Sequence, residues 1–167
     1  MTLRIGVDAT GADPAVRDLL EDLQSALQQW SQGLGRWTDV AYVTSTYSSE
    51  IGTWTVEEGD QRYLRWMVIG DTMWINFNVT QTTLASTPPQ LRIAVPGGYT
   101  AFPQEATGFV FASGTTAELG VVLTLNDSLL NVISIQRTAG TGWPNSTDAQ
   151  NFRGSICFQV YRTEVIP

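Results

Sequence analysis

Glu57, Glu58 and Asp60 form a short acidic cluster, the first place in the sequence where side chains could carry chemistry. Two carboxylates could hydrolyse a glycosidic bond, and several together could bind calcium. The cluster surrounds Gly59 between two apolar runs, where a solvated turn is expected, and it lacks the Asp-x-Asp-x-Asp-Gly pattern of a calcium loop. A turn is the favoured interpretation, and no catalytic residue or metal ligand is predicted; metal binding and catalysis remain as alternatives.

Histidine and lysine are both absent, and Cys157 is the only cysteine of the 167-residue chain. Imidazole relays, imidazole-ligated zinc and lysine Schiff bases are therefore excluded, and Cys157 is expected to be a packed thiol. The net charge of −7 without a basic cluster argues against nucleic-acid binding. No apolar run approaches the roughly 20 residues that cross a bilayer, and no signal peptide is recognised. We expect no cofactor and no membrane insertion.

Trp143 lies in a polar loop, 139–148, of the kind that often carries binding function on a β scaffold. Its ring could stack on a sugar while Asn145 and Asp148 bind the hydroxyl groups. These three residues are the candidate glycan-binding site. The alternative is that Trp143 folds back and plugs the end of the domain.

Trp74 interrupts a strand pattern in which apolar and polar residues alternate. The apolar face of that strand holds Met73, Ile75, Phe77 and Val79. Alternation places Trp74 on the polar face, where an aromatic ring needs a cover. A protein–protein contact is favoured; a bound ligand or a wrongly assigned face are the alternatives.

An amphipathic helix is predicted over 14–31, because Asp13-Pro14 is a typical helix start and apolar residues follow at three- and four-residue steps. The stripe could dock on the β-domain or pair with copies of itself in a short coiled coil. The predicted oligomer interface comprises Val16, Leu19, Leu20, Leu23, Leu27, Trp30 and Trp74.

The remainder of the chain alternates and turns like an all-β protein. Candidate strands are 40–47, 53–57, 61–69, 72–81, 90–95, 108–112, 117–125, 129–137 and 154–162. Many short strands separated by turn signals predict a mainly β fold, a single antiparallel, jelly-roll-like β-sandwich with a short N-terminal amphipathic helix. The predicted organisation is an anchoring peptide at 1–12, the helix and linker at 13–35, and the β-sandwich domain at 36–167.

Several segments together resemble small β-sandwich virion proteins of tailed bacteriophages. They are 53–60 (TWTVEEGD), Tyr63, 69–77 (IGDTMWINF), Thr82-Thr83, 91–98 (LRIAVPGG) and 154–161 (GSICFQVY). The resemblance covers 37–161. Proteins of this kind include tail-fibre tips, head fibres, spikes and attachment modules.

The resemblance implies a homotrimer anchored through its N-terminal segment to other virion proteins of the capsid or tail. The β-sandwich would project outward and contact the host cell surface, with a surface glycan as a candidate ligand. The chain lacks an extended shaft, so a short fibre, spike or decoration protein fits better than a long tail fibre. We therefore expect a non-enzymatic virion protein made in the host cytoplasm. A carbohydrate-binding module and a carboxylate-dependent glycoside hydrolase are the alternatives.

Overall fold

Alternation of apolar and polar residues builds this fold, because a strand sends every second side chain to the same side. The predicted apolar set of the second hairpin strand is fully buried: Met73, Ile75, Phe77 and Val79. The chain reverses at Gly70 and Asp71, where Gly70 has a φ of +59°, a left-handed conformation that glycine adopts at little cost. The predicted hairpin is confirmed.

The computed structural model describes residues 22–23, 35–102, 106–119, 122–124 and 131–162. The chain divides into two units, Met1–Gly35 and Arg36–Pro167. In the first unit Asp22 and Leu23 are helical and exposed. The remainder of the predicted helix and the predicted anchoring peptide lie outside the described residues.

Strands make up most of the second unit. They are β1 (Thr38–Asp39), β2 (Tyr47–Ser49), β3 (Thr53–Thr55), β4 (Gln61–Ile69), β5 (Thr72–Ala85), β6 (Gln90–Ala94), β7 (Tyr99–Ala101), β8 (Thr107–Gly114), β9 (Val122–Thr124), β10 (Val132–Gln136) and β11 (Ser146–Arg162), with a 3-10 turn at Thr44–Thr46.

These strands form a larger and a smaller antiparallel sheet. The larger sheet has the order β1-β4-β5-β11-β7, with β3 also beside β5 and β8 also beside β11. The smaller sheet has the order β2-β6-β10-β9. The predicted fold class, mainly β with antiparallel sheets, is confirmed.

The buried faces of both sheets share one hydrophobic core. The smaller sheet supplies Tyr47, Leu91, Ile93, Ile133 and Ile135, and the larger sheet supplies the β5 set with Leu64, Val110, Phe152, Ile156 and Phe158. Each fully buried large side chain of this kind stabilises the folded state by roughly 1.5–3 kcal/mol. The core therefore holds one face of each sheet and leaves the opposite face of the larger sheet to act as a surface.

Several predicted strand boundaries were wrong. Of the predicted strand 40–47 only Tyr47 lies in a strand, because residues 40–43 belong to none and Thr44–Thr46 form a turn. Residues 117–119 of the predicted strand 117–125 belong to no named strand, and β9 is described over Val122–Thr124. The last residues of the predicted loop 139–148 belong to β11, which begins at Ser146. Asp148 has a φ of +47° within that strand, and the pairing with β5 shifts between Ser146 and Gln150. This irregularity hides the period-two pattern on which a sequence-based prediction depends.

Candidate functional site

Trp74 lies on the outer face of the larger sheet, the face opposite the core. It stands in register with Met67 of β4 and Cys157 of β11, and both neighbours are half-buried. Trp74 itself is 37% exposed. The prediction that this ring faces the polar side of its strand is confirmed, and Cys157 is packed beside it as expected.

Other exposed apolar side chains accompany Trp74 at the end of the face near the Gly70–Asp71 turn. We define the apolar patch as Ile69, Trp74, Phe102 and Tyr161, which are 44%, 37%, 42% and 38% exposed. Within it the rings of Phe102 and Tyr161 are 4.9 Å apart. Large side chains left this accessible at one end of a sheet usually mark an interaction surface.

Arginines occupy the other end of the same face. Arg62 Nε donates to Thr80 Oγ1 at 3.0 Å. The guanidinium of Arg153 lies 4.8 Å from the ring centre of Phe111. That of Arg65 lies 4.9 Å from the ring centre of Trp37 and 5.2 Å from that of Tyr63.

A hollow of about 340 Å³ opens beside Arg153, Phe111 and Thr80. We call it the arginine hollow; its lining consists of Asn78, Thr80, Phe111, Ser113, Asn151, Phe152 and Arg153. Asn151 is fixed, since its Oδ1 accepts from Gln81 N at 2.9 Å and its Nδ2 donates to Ser113 O at 3.3 Å. The result is a polar concavity with one arginine in its wall and a second, Arg62, bonded to its rim residue Thr80.

Trp143, predicted as a sugar platform, is completely buried. Its ring meets Phe152 edge-on at 4.9 Å, and its backbone N–H donates to Pro88 O at 2.9 Å. A sugar cannot stack on an enclosed ring, so the glycan-binding interpretation of Trp143 was wrong. The alternative, that the ring folds back into the end of the domain, is confirmed.

Arg137 holds the loop that carries Trp143. Its Nε donates to Glu118 Oε1 at 2.6 Å, and its Nη1 donates to Thr141 Oγ1 and to Gly142 O, both at 3.0 Å. The side chains of Arg137 and Glu118 are only 19% and 13% exposed. Removing one partner of such a pair would leave a poorly solvated charge and should destabilise the loop.

The side chains of the other predicted glycan residues, Asn145 and Asp148, make hydrogen bonds within the β-domain. Asn145 Oδ1 accepts from Thr87 N at 3.0 Å. Asp148 Oδ1 accepts from Thr83 Oγ1 at 2.9 Å, and its N–H donates back to the same hydroxyl at 3.1 Å. The structure does not bring these side chains together with Trp143 as a binding site.

The acidic cluster forms an exposed turn between β3 and β4. Asp60 Oδ2 accepts from Glu57 N at 2.9 Å, and Asp60 N donates to Glu57 O at 3.0 Å. The predicted turn is confirmed. Among the described residues no group of acidic or thiol side chains is arranged to hold a metal ion, and no described helix is long and apolar enough to cross a membrane.

The predicted oligomer interface is only partly visible. Leu23 is 57% exposed and Trp74 is 37% exposed. Val16, Leu19, Leu20, Leu27 and Trp30 lie outside the described residues.

Sequence reasoning missed the arginine hollow altogether. A signal was available, because β4, β5, β8 and β11 contain one acidic residue, Asp148, in a chain that has 16. Such a scarcity of carboxylates on neighbouring strands indicates a surface of different charge from the rest of the molecule.

Comparisons with known proteins add one structural likeness. No protein-family model matches the chain, and no curated protein matches it. Among solved structures the chain is similar to the crystal structure of the Dettilon tailspike protein, with a TM-score of 0.49 and 17% sequence identity. The likeness covers 77% of this chain, which spans 24% of the length of the tailspike chain.

Proposed function

We propose that this protein is a non-enzymatic structural component of a bacteriophage-like virion, a short homotrimeric fibre, spike or decoration protein that contacts the host surface. The observation that carries the proposal is the apolar patch. Trp74 and its companions stand on the outer face of a sheet whose other face is already packed, so copies of the chain are the proposed cover. The sequence resemblance to small virion β-sandwich proteins supports the particle setting.

Hydrophobic burial supports the choice of an oligomer. Removing apolar surface from water stabilises an assembly by roughly 25 cal/mol per Å². Because the patch members are each more than a third exposed, a neighbouring subunit that covers them would gain this term at several side chains at once. The leucine and tryptophan stripe predicted at 14–31 would add a second contact about the same three-fold axis.

Light scattering coupled to size exclusion tests the proposal on the full chain. We expect the wild-type protein to have the mass of a trimer and Trp74→Gln to shift it toward the monomer. Ile51→Gln is the matched control, because Ile51 is 65% exposed but lies outside the patch, between β2 and β3. A wild-type monomer at high concentration would contradict the trimer, and a Trp74→Gln variant that remains trimeric would contradict the role of the patch.

A further inference from the structure

We propose that the arginine hollow binds a carboxylate-bearing saccharide. The inference rests on the proposed function only in treating that saccharide as part of a host surface; the binding itself is argued from the hollow. The hollow lies on the same sheet face as the apolar patch but at the opposite end, so both surfaces can act in one assembly.

Charge is the first argument. The chain has 16 acidic and nine basic residues, and its net charge is −7. Arg62, Arg65 and Arg153 nevertheless share one sheet face, on strands whose one acidic residue, Asp148, is bonded to Thr83. A cationic site on an anionic protein attracts anions locally while the remainder of the surface repels them, which favours a specific contact over general adhesion.

No acidic side chain among the described residues forms an ion pair with the arginines of this face. Ion pairs within the described ranges join Arg92 to Glu50 and Arg137 to Glu118, and neither involves the arginines of this face. Asp39 stands in register with Arg65 without forming an ion pair with it.

Aromatic rings hold two of these guanidinium groups in place. The Arg153 guanidinium lies over the Phe111 ring at 4.8 Å, and that of Arg65 lies over the rings of Trp37 and Tyr63 at 4.9 and 5.2 Å. A guanidinium that stacks through its face keeps its N–H edge available for a carboxylate, and less side-chain entropy is lost on binding because the group is already ordered.

The lining of the hollow suits the rest of a sugar. Its volume of about 340 Å³ falls in the range of roughly 300–1,000 Å³ typical of small-molecule sites. Neither the Asn78 amide nor the Ser113 hydroxyl makes a side-chain hydrogen bond to any residue that the structure describes. They can therefore donate to and accept from sugar hydroxyls. Phe109, two residues before Phe111 on the same face of β8, is 59% exposed and adds an apolar ring to that face.

A nucleic acid is the less suitable anion for this surface. Binding a phosphate backbone depends on many arginine and lysine contacts along an extended track. Here the cations are few, and the hollow has one arginine, Arg153, in its lining together with amide and hydroxyl groups. A single carboxylate attached to a hydroxylated ring matches that arrangement better.

Isothermal titration of the purified full chain with short oligogalacturonates tests the inference. We expect saturable binding, and binding at least about tenfold weaker to the methyl-esterified oligomers, which keep the hydroxyl groups but lose the charge. Arg153→Gln should weaken binding of the charged oligomer by a similar factor. Arg92→Gln is the matched control, because it removes the same charge from the smaller sheet and should leave the affinity unchanged.

Four results would overturn the inference. They are absence of binding at millimolar oligogalacturonate, equal affinity for the methyl ester, equal weakening by Arg92→Gln, and equal or tighter binding of oligothymidylate. The last would indicate a general anion surface. The titration measures binding, whereas light scattering measures mass, so the two proposals can fail separately. A trimer that does not bind would contradict this inference alone, and a monomer that binds would contradict the proposed assembly alone.

Discussion

At the scale of single residues, the buried Tyr47 makes the stability of the fold depend on pH. Its side chain is 5% exposed, and its Oη donates to Gln61 Oε1 at 2.7 Å. Burial, with a smaller effect of neighbouring Tyr42, raises the pKa of Tyr47 well above the ordinary value of 10.0. Folded Tyr47 therefore keeps its proton at pH values where an unfolded tyrosine loses it. The contribution of Tyr47 to the unfolding free energy is therefore fully present below pH 10, and it decreases as the pH rises above 10.

Tyr47→Phe tests this coupling. We expect the variant to be about 1 kcal/mol less stable at neutral pH, because Gln61 loses its hydrogen-bond donor. We also expect its unfolding free energy to fall less steeply above pH 10 than that of the wild type. Denaturant unfolding followed by tryptophan fluorescence at several pH values measures both effects. Tyr63→Phe, which removes a hydroxyl from the outer face, is the control; an unchanged alkaline slope in Tyr47→Phe would refute the coupling.

The tryptophans show how far sequence predicts individual residues. Alternation was sufficient for Trp74, because its neighbours in a regular strand fix the side on which it stands. It was insufficient for Trp143, which lies outside any periodic segment and is enclosed by its contacts with Arg137 and Phe152. A loop residue is buried or exposed by tertiary contacts, and a single sequence does not reveal those contacts.

At the scale of elements, β11 organises the larger sheet because it pairs with β5 on one side and with β7 and β8 on the other. Gly154 lies at its centre, in register with Phe77 and Val110. A Cβ added there would stand 2.9 Å from Phe77 Cε1, 3.0 Å from Val110 Cγ2 and 2.7 Å from Phe109 O. Glycine at this position makes room for a fully buried phenylalanine.

Gly154→Ala should therefore strain the core. We expect a loss of about 1–3 kcal/mol in unfolding free energy, the usual effect of overpacking. Urea unfolding should show a lower midpoint with an unchanged slope. Ser155→Ala changes the adjacent residue on the outer face and should have a much smaller effect. Wild-type stability in Gly154→Ala would mean that both the Phe77 ring and the backbone at Phe109 have space to move aside.

The position of Arg62 also depends on an irregularity in β4 that the sequence analysis did not predict. Residues three apart in a regular strand point to opposite faces, so Arg62 and Arg65 would not be expected on one surface. The register of β4 against β5 shifts between Gln61 and Tyr63. That irregularity lets Arg62 reach Thr80, a lining residue of the arginine hollow, on the outer face. Period-two reasoning predicted the strands but could not predict their bulges.

At the scale of the β-domain, the core covers one face of each sheet, and the outer face of the larger sheet carries two different surfaces. The apolar patch exposes hydrophobic side chains at one end, and the arginine hollow exposes a positive charge at the other. Separation of the two on one sheet suits a particle protein that meets its own copies at one end and another molecule at the other. The assembly should then contribute to stability as well as to geometry.

Concentration dependence of thermal unfolding tests that contribution. If folding and trimerisation are coupled, the melting temperature of the wild-type chain should rise as protein concentration rises, because association draws the equilibrium toward folded subunits. Trp74→Gln should weaken this dependence, since the polar side chain leaves less apolar surface to bury at the subunit contact. Ile51→Gln should retain it. Calorimetric scans across a hundredfold range of concentration would resolve the difference. A melting temperature that stays constant in the wild type would contradict the coupling of folding to trimerisation.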